Sequence, residues 1–215
     1  MGMKISVITV GPIDVNCHII YCDRHKSAII VDPGDSSAKI IKFLEENGLK
    51  PGMVIATHCH ADHTGSVARL TEYFEAPFFC HADDEWLLDS PEQKEMARYL
   101  GLAYPPKNDD SLRDGEMVYV CDDYSLKVIH TPGHTPGGIC LFGQGLLIVG
   151  DTLFRGSIGR SDLAGGNHEQ LIKSIKERLF LLPDGTLVYP GHGEPTTIGY
   201  EKEHNPFLRQ TEGYN

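Results

Sequence analysis

The run Leu146-Leu147-Ile148-Val149 carries no polar residue on either phase of a two-residue alternation. A strand of that kind is apolar on both faces and belongs to a sheet that is covered on both sides. Further runs of β type occur at 5–10, 18–22, 28–31, 53–56, 77–80, 117–121, 126–129, 139–142 and 186–189. The covering layers come from amphipathic segments. Residues 36–47 place Ile40, Ile41 and Leu44 on one side before Gly48, residues 65–75 space Val67, Leu70 and Phe74 helically, two helices fit within 83–100, and 168–182 aligns Leu171, Ile175 and Leu179. Segments 104–115 and 155–167, rich in Pro, Gly, Asn and Asp, read as loops. Strands interleaved with helices and undivided by a linker predict one layered α/β domain spanning 1–215.

Charge narrows the partners. The formal net charge is −11 and no run of Lys or Arg interrupts it, so the footprint of a nucleic-acid binder is missing. The apolar N-terminal run is broken by Ser6 and Thr9 and is too short for a signal-peptide core, and no stretch approaches the ~18 apolar residues of a membrane span. The expectation is a cytoplasmic protein that acts on a small molecule, away from membranes. The six cysteines are scattered without a C-x-x-C pair and read as free thiols, with Cys59 pointing away from its neighbours if its segment is extended.

Those neighbours carry the chemistry. Thr57-His58-Cys59-His60-Ala61-Asp62-His63 follows directly on the apolar run 53–56. His58 and His60, two apart on an extended chain, project to the same side and can grip one ion, whereas Asp62 and His63 come after the turn and diverge. His134, Asp151 and His192 each follow another strand, so strands running the same way in one sheet, or in two facing sheets, would bring all seven residues to one rim. A catalytic zinc uses three protein ligands, so five His and two Asp suit two ions: His58, His60 and His134 for the first, Asp62, His63 and His192 for the second, and Asp151 as the two-oxygen bridge. Imidazole with carboxylate fits zinc first, and also iron or manganese. Asp32, in Asp32-Pro33-Gly34, reads either as an acceptor for a ligand His or as a plain turn, and His130 as a supporting group or a strand cap. His18, His25, His81, His168 and His204 read as ordinary surface or core histidines.

With these residues in place the sequence resembles the metallo-β-lactamase-fold superfamily, in its glyoxalase II (hydroxyacylglutathione hydrolase) branch, from Asp32-Pro33-Gly34 through the H-x-H-x-D-H motif to Gly191-His192-Gly193. The resemblance implies a four-layer αββα sandwich with metals at one edge of two sheets, and metal residues at the seven positions above. Gly150-Asp151-Thr152-Leu153-Phe154-Arg155-Gly156-Ser157-Ile158-Gly159-Arg160-Ser161-Asp162 looks like the short, single-domain glyoxalase II-like proteins. Two-domain members carry a Lys near the place of Arg160, a Tyr near that of Asp162, and a C-terminal helical domain with further glutathione contacts. Here Arg160 keeps the charge, Asp162 lacks the ring, and the chain ends soon after His192. The implied activity is thioester hydrolysis, of S-lactoylglutathione or a related hydroxyacyl thioester, by a hydroxide bridging two metals. Asp62 orients that hydroxide, and Arg160 and Arg155 are candidates for a substrate carboxylate or, equally, solvated loop charges. The rival is a persulfide dioxygenase with one iron on His58, His134 and Asp151. A lactonase or β-lactamase, or a metal-binding relative without activity, ranks lower.

Overall fold

The computed structural model describes residues 2–209; Met1 and residues 210–215, the two ends of the expected domain, lie outside them. A meander of β1 (Met3–Val10), β2 (Val15–Cys22) and β3 (Ser27–Val31) passes through helix α1 (Ser37–Glu46) into β4 (Lys50–Ile55), which lies parallel to β3. Next come α2 (Ala61–Thr64), α3 (Val67–Phe74), β5 (Phe78–His81), a 3-10 segment (Ala82–Asp89), α4 (Pro91–Leu100) and β6 (Asp110–Leu112), giving a first sheet of order β1-β2-β3-β4-β5-β6. The second sheet takes β7 (Met117–Cys121), β8 (Tyr124–His130), β9 (Ile139–Gly143) and β10 (Leu146–Gly150), then, after a small hairpin of β11 (Leu153–Phe154) and β12 (Ser157–Ile158) and helix α5 (His168–Ser174), adds β13 (Leu187–Pro190) and β14 (Thr196–Thr197). Its order is β14-β13-β10-β9-β8-β7, and α6 (Ile198–His204) closes the described chain.

The doubly apolar strands explain the layering. On β2, Ile19 packs with Ile40, Leu44, Val67 and Leu70 of the helices, while its neighbour Ile20 meets Val118, Leu126, Val128 and Ile148 of the other sheet. On β10, Leu146 and Ile148 face the first sheet, and Leu147 and Val149 face Leu171, Ile175, Leu179 and Ile198. Three apolar layers therefore lie between four structural ones, the αββα sandwich that the resemblance implied. Each buried Ile or Leu contributes roughly 1.5–3 kcal/mol of transfer free energy. Among the described residues no helix is long and apolar enough to cross a membrane.

Several elements depart from the local sequence pattern because long-range pairing overrides it. Segment 104–115 is not wholly loop: it contains β6, which pairs parallel with β5 and buries only Leu112, so it shows no alternation. Segment 155–167 likewise contains β12. The helix expected over 65–75 starts earlier and is interrupted, because Ser66 N–H donates to Pro33 O (2.8 Å) instead of continuing a helical ladder. Of the two helices in 83–100 the first is 3-10; the second begins at Pro91, with Ser90 accepting from Gln93 N–H. Helix α5 passes into a π turn over Ile175–Leu179, and α6 is an addition, capped by Thr197 accepting from Tyr200 N–H.

Strands β8, β10 and β13 run in one direction, and their C-terminal ends meet that of β4 at a common rim. Ile139 N–H donates to Thr57 O (2.8 Å) across the two sheets there.

Candidate metal centre

All seven sequence-predicted residues come together at this rim. Atoms of His58, His60 and His134 capable of metal ligation lie within 4.8 Å of one another, as do those of His58, His63 and Asp151, and those of Asp62, His63 and His192. Asp151 stands between the groups: Oδ1 is 3.5 Å from His63 Nε2, and Oδ2 is 3.7 Å from His134 Nε2 and 3.8 Å from His192 Nε2. Asp62 Oδ2 is 3.5 Å from His63 Nε2 and 3.4 Å from His192 Nε2.

Backbone carbonyls set the tautomers. His134 donates from Nδ1 to Arg160 O (2.7 Å) and His192 from Nδ1 to Ile13 O (3.1 Å), leaving a lone pair on each Nε2 inside the cluster. His134 Nε2 then faces His60 Nδ1 at 3.0 Å. His58 Nε2, His63 Nε2 and Asp151 Oδ1 are buried with no hydrogen-bond partner. Buried polar atoms are normally satisfied. Converging lone pairs and orphaned donor atoms of imidazole and carboxylate type are what a divalent cation requires, so these residues fit one.

Asp32, read either as an acceptor or a plain turn, is both. Its backbone adopts φ 52°, and its carboxylate accepts from Thr57 N–H and Thr57 Oγ1 (both 2.7 Å) and stands 3.2 Å from His63 Nδ1. Two glycines admit the close backbone approach: a Cβ on Gly34 would meet Asp62 O at 1.7 Å, and one on Gly159 would meet Asp151 O at 1.8 Å. Two further residues, Asn16 and Asp84, hold the loops of the site in place. Asn16 donates from Nδ2 to Pro190 O (3.1 Å) and Gly193 O (2.9 Å), clamping the turn that carries His192. Asp84, fully buried, accepts from Cys59 N–H (3.1 Å), Thr135 Oγ1 (2.8 Å) and Gly137 N–H (2.6 Å), so it joins the His58–His60 segment to the His134 loop. Asp84 shares one signal with the others, a position just after a strand; Asn16 has none. Cys59 points into the core layer under the first sheet's helices, as an extended segment required.

Electrostatics divides the cluster. Burial and the surrounding imidazoles hold His58 well below the ordinary histidine value and bring His60 to about 3, so both are neutral. Burial also opposes charge on His63, but the carboxylates of Asp151, Asp62 and Asp32 outweigh it and raise its pKa to about 10. Without metal, His63 is therefore an imidazolium at neutral pH. Its contribution to folding is fully present below about pH 6.5, the unfolded value, and is lost as pH climbs through 10. A cation must displace this proton. Calorimetric titration of metal into the metal-free protein near pH 7.5, in buffers of different ionisation enthalpy, should show proton release, and the release should fall sharply in His63→Ala. A heat independent of buffer would contradict the assignment.

The two arginines, candidates for a substrate carboxylate or solvated loop charges, each engage a neighbour. Arg160 lies close enough to His60 to disfavour its protonation, but its guanidinium is already held by Asp162 through two hydrogen bonds (2.9 and 2.8 Å). Arg155 lies over the Tyr200 ring, 5.5 Å from its centroid. His130 is a strand-end residue whose Nε2 contacts Pro136 O (2.9 Å) and whose ring stacks on His81 at 4.1 Å. His18 is a core residue, as read, but neither ring nitrogen has a partner, and burial lowers its pKa to about 4.

Two helix-covered sheets with a histidine and aspartate cluster at one rim define a metal-dependent hydrolase of the αββα class. Residues 10–192 match the Metallo-beta-lactamase superfamily, and the chain belongs to that family. It is 38% identical over 216 residues to the hydroxyacylglutathione hydrolase GloC of Haemophilus influenzae, covering 96% of this chain and 98% of that one. Among solved structures, the BLEG-1 B3 metallo-β-lactamase superposes with a TM-score of 0.88 at 36% identity, covering 95% of this chain and 99% of that one. TTHA1623 in a di-iron-bound form gives 0.85 at 36% identity, covering 94% and 100%.

Proposed function

We propose that this protein hydrolyses thioesters of hydroxyacyl type, S-lactoylglutathione or a close relative, with two divalent ions of which zinc is the first choice. His58, His60 and His134 would hold one ion and Asp62, His63 and His192 the other, with Asp151 between them. The observation that carries the reading is the division of the seven residues into overlapping groups on either side of Asp151, in a chain 38% identical to a hydroxyacylglutathione hydrolase. When bound, such ions act as Lewis acids and bring the pKa of coordinated water from ~15.7 toward ~7.

The chain's own groups supply the rest. Burial opposes charge on Asp62, but His63 and His192 outweigh it and hold its pKa far below the usual carboxylate range, so it stays ionised. An ionised carboxylate at the cluster can accept a hydrogen bond from the attacking water and fix its orientation. The Arg160 and Ile13 carbonyls keep the lone pairs of His134 and His192 turned inward. A thiol of pKa about 8.5 departs as thiolate and so needs no strong general acid. Beside the cluster Arg160 offers a cation to a substrate carboxylate in competition with Asp162. Asp162→Asn should therefore lower KM for an anionic thioester and Arg160→Ala should raise it, with kcat little changed; identical KM values across the three proteins would remove Arg160 from substrate binding.

Metal analysis of the purified protein, paired with assays of S-lactoylglutathione hydrolysis, oxygen uptake with glutathione persulfide, and β-lactam cleavage, tests the function. Thioester cleavage with two ions per chain supports it. Oxygen uptake with one iron per chain would assign a dioxygenase instead, and cleavage of the β-lactam alone a lactamase.

A further inference from the structure

The end of the sandwich away from the catalytic rim carries a second group of potential ligands. Strand β2 is antiparallel to β3, which runs with β4, and β7 is antiparallel to β8, so β2 and β7 both finish at this far end, one in each sheet. Each finishes on a cysteine. Cys22 Sγ, Cys121 Sγ and a ring nitrogen of His25 all lie within 4.8 Å of one another. Cys22 is buried, Cys121 half-buried, and His25 exposed. His25 Nε2 lies 3.2 Å from Asp123 Oδ2.

Cys22 leads into the turn that carries Arg24 and His25, and Cys121 into the turn that carries Asp123. The thiolate is the form of cysteine that binds metal. The fold thus brings together two sulfurs and an imidazole, from turns far apart in sequence. None of the three belongs to the catalytic cluster, which contains no sulfur among its seven residues.

We propose that Cys22, Cys121 and His25 form a second metal site, of Cys2His type, which takes a zinc-class divalent ion and fastens the two sheets to each other at the end remote from the catalytic rim. Thiolate and imidazole donors select such an ion over magnesium or calcium. Asp123 occupies His25 Nε2 and so presents Nδ1 as the ligand, a carboxylate–histidine–metal arrangement. Binding releases the two thiol protons to solvent, and two thiolates balance the charge of the ion. A shallow cavity lined by Gly2, Cys22, Arg24, Asp123 and Tyr124 gives the ion an entry path and water a fourth position.

Cobalt(II) is the probe, because only a sulfur-ligated ion gives the intense near-ultraviolet thiolate-to-cobalt charge-transfer band. Titration of the reduced, metal-free full chain should raise this band to a plateau whose amplitude corresponds to one sulfur-ligated ion per chain, within three ions bound in total. Cys22→Ser and Cys121→Ser should abolish it and lower total bound metal by one ion while thioester hydrolysis is retained. His25→Gln, at an exposed position that leaves folding intact, should weaken binding, and Asp123→Asn should weaken it about 10–100-fold. Absence of the band in the wild-type chain, or its persistence in Cys22→Ser, would overturn the proposal. So would a Cys22–Cys121 disulfide in protein purified without reductant, since it would consume both ligands.

Discussion

Asp151→Asn should bind no more than one ion per chain and lose more than about 100-fold in thioester hydrolysis, beyond the ~10–100-fold that removal of a ligand's supporting partner costs. The substitution keeps the shape of the side chain and removes only its charge and one acceptor. Both oxygens are in use: Oδ1 faces His63, whereas Oδ2 faces His134 and His192. An amide offers one oxygen to one side and an NH2 to the other, and the NH2 cannot ligate a cation. Asp151 is also the first of the carboxylates holding the charge on His63, so its loss lowers the His63 pKa and reduces the proton release that accompanies metal uptake. Metal content by elemental analysis, the calorimetric proton count and the rate each report a different part of the change. Retention of two ions and a near wild-type rate in Asp151→Asn would show that the carboxylate does not sit between two metals.

The seven-residue cluster at the rim was legible because its chemistry is written locally. The spacing of His58, His60, Asp62 and His63, and the recurrence of His134, Asp151 and His192 just after apolar strands, translate directly into side chains at converging strand ends. The layered fold was legible for a related reason: strands such as Leu146–Gly150 are apolar on both faces, and only a sheet buried on both sides accommodates them. What escaped had no local signature. Strand β6 is held by backbone pairing to β5, with one buried side chain, so no periodicity announces it. Asn16 works through two carbonyls 174 and 177 residues away in sequence. The charge on Arg160 was legible, but its capture by Asp162 two residues on depends on the loop's conformation. Cys22, His25 and Cys121 read as isolated residues until two hairpin turns from different sheets bring them together.

Asp84 is the residue whose removal should cost the fold most. Asp84→Ala would strand three buried donors, the N–H groups of Cys59 and Gly137 and the Thr135 hydroxyl. At ~1–3 kcal/mol for each unsatisfied buried group the three together come to about 3–9 kcal/mol, or about 2–6 kcal/mol if the Thr135 hydroxyl rotates to another acceptor. That is a large part of the roughly 5–15 kcal/mol by which a domain is stable. Asp84→Asn is no remedy. Oδ1 accepts from Gly137 N–H and Oδ2 from Cys59 N–H, so whichever way the amide is turned its NH2 meets a backbone N–H. Burial raises the Asp84 pKa while the three donors pull it down, so the raised value means that the protonated acid is favoured in the folded state relative to the unfolded chain. Its linkage to folding therefore favours low pH and diminishes as pH rises through the folded value. Because the Asp84 donors flank His58, His60 and His134, the metal held by those three should be lost before the other. Urea denaturation of the metal-free variants should show midpoints well below that of the parent, and metal analysis should show preferential loss of one ion. An unchanged midpoint in Asp84→Ala would mean that the three donors find other partners and that Asp84 does not tie the two histidine loops together.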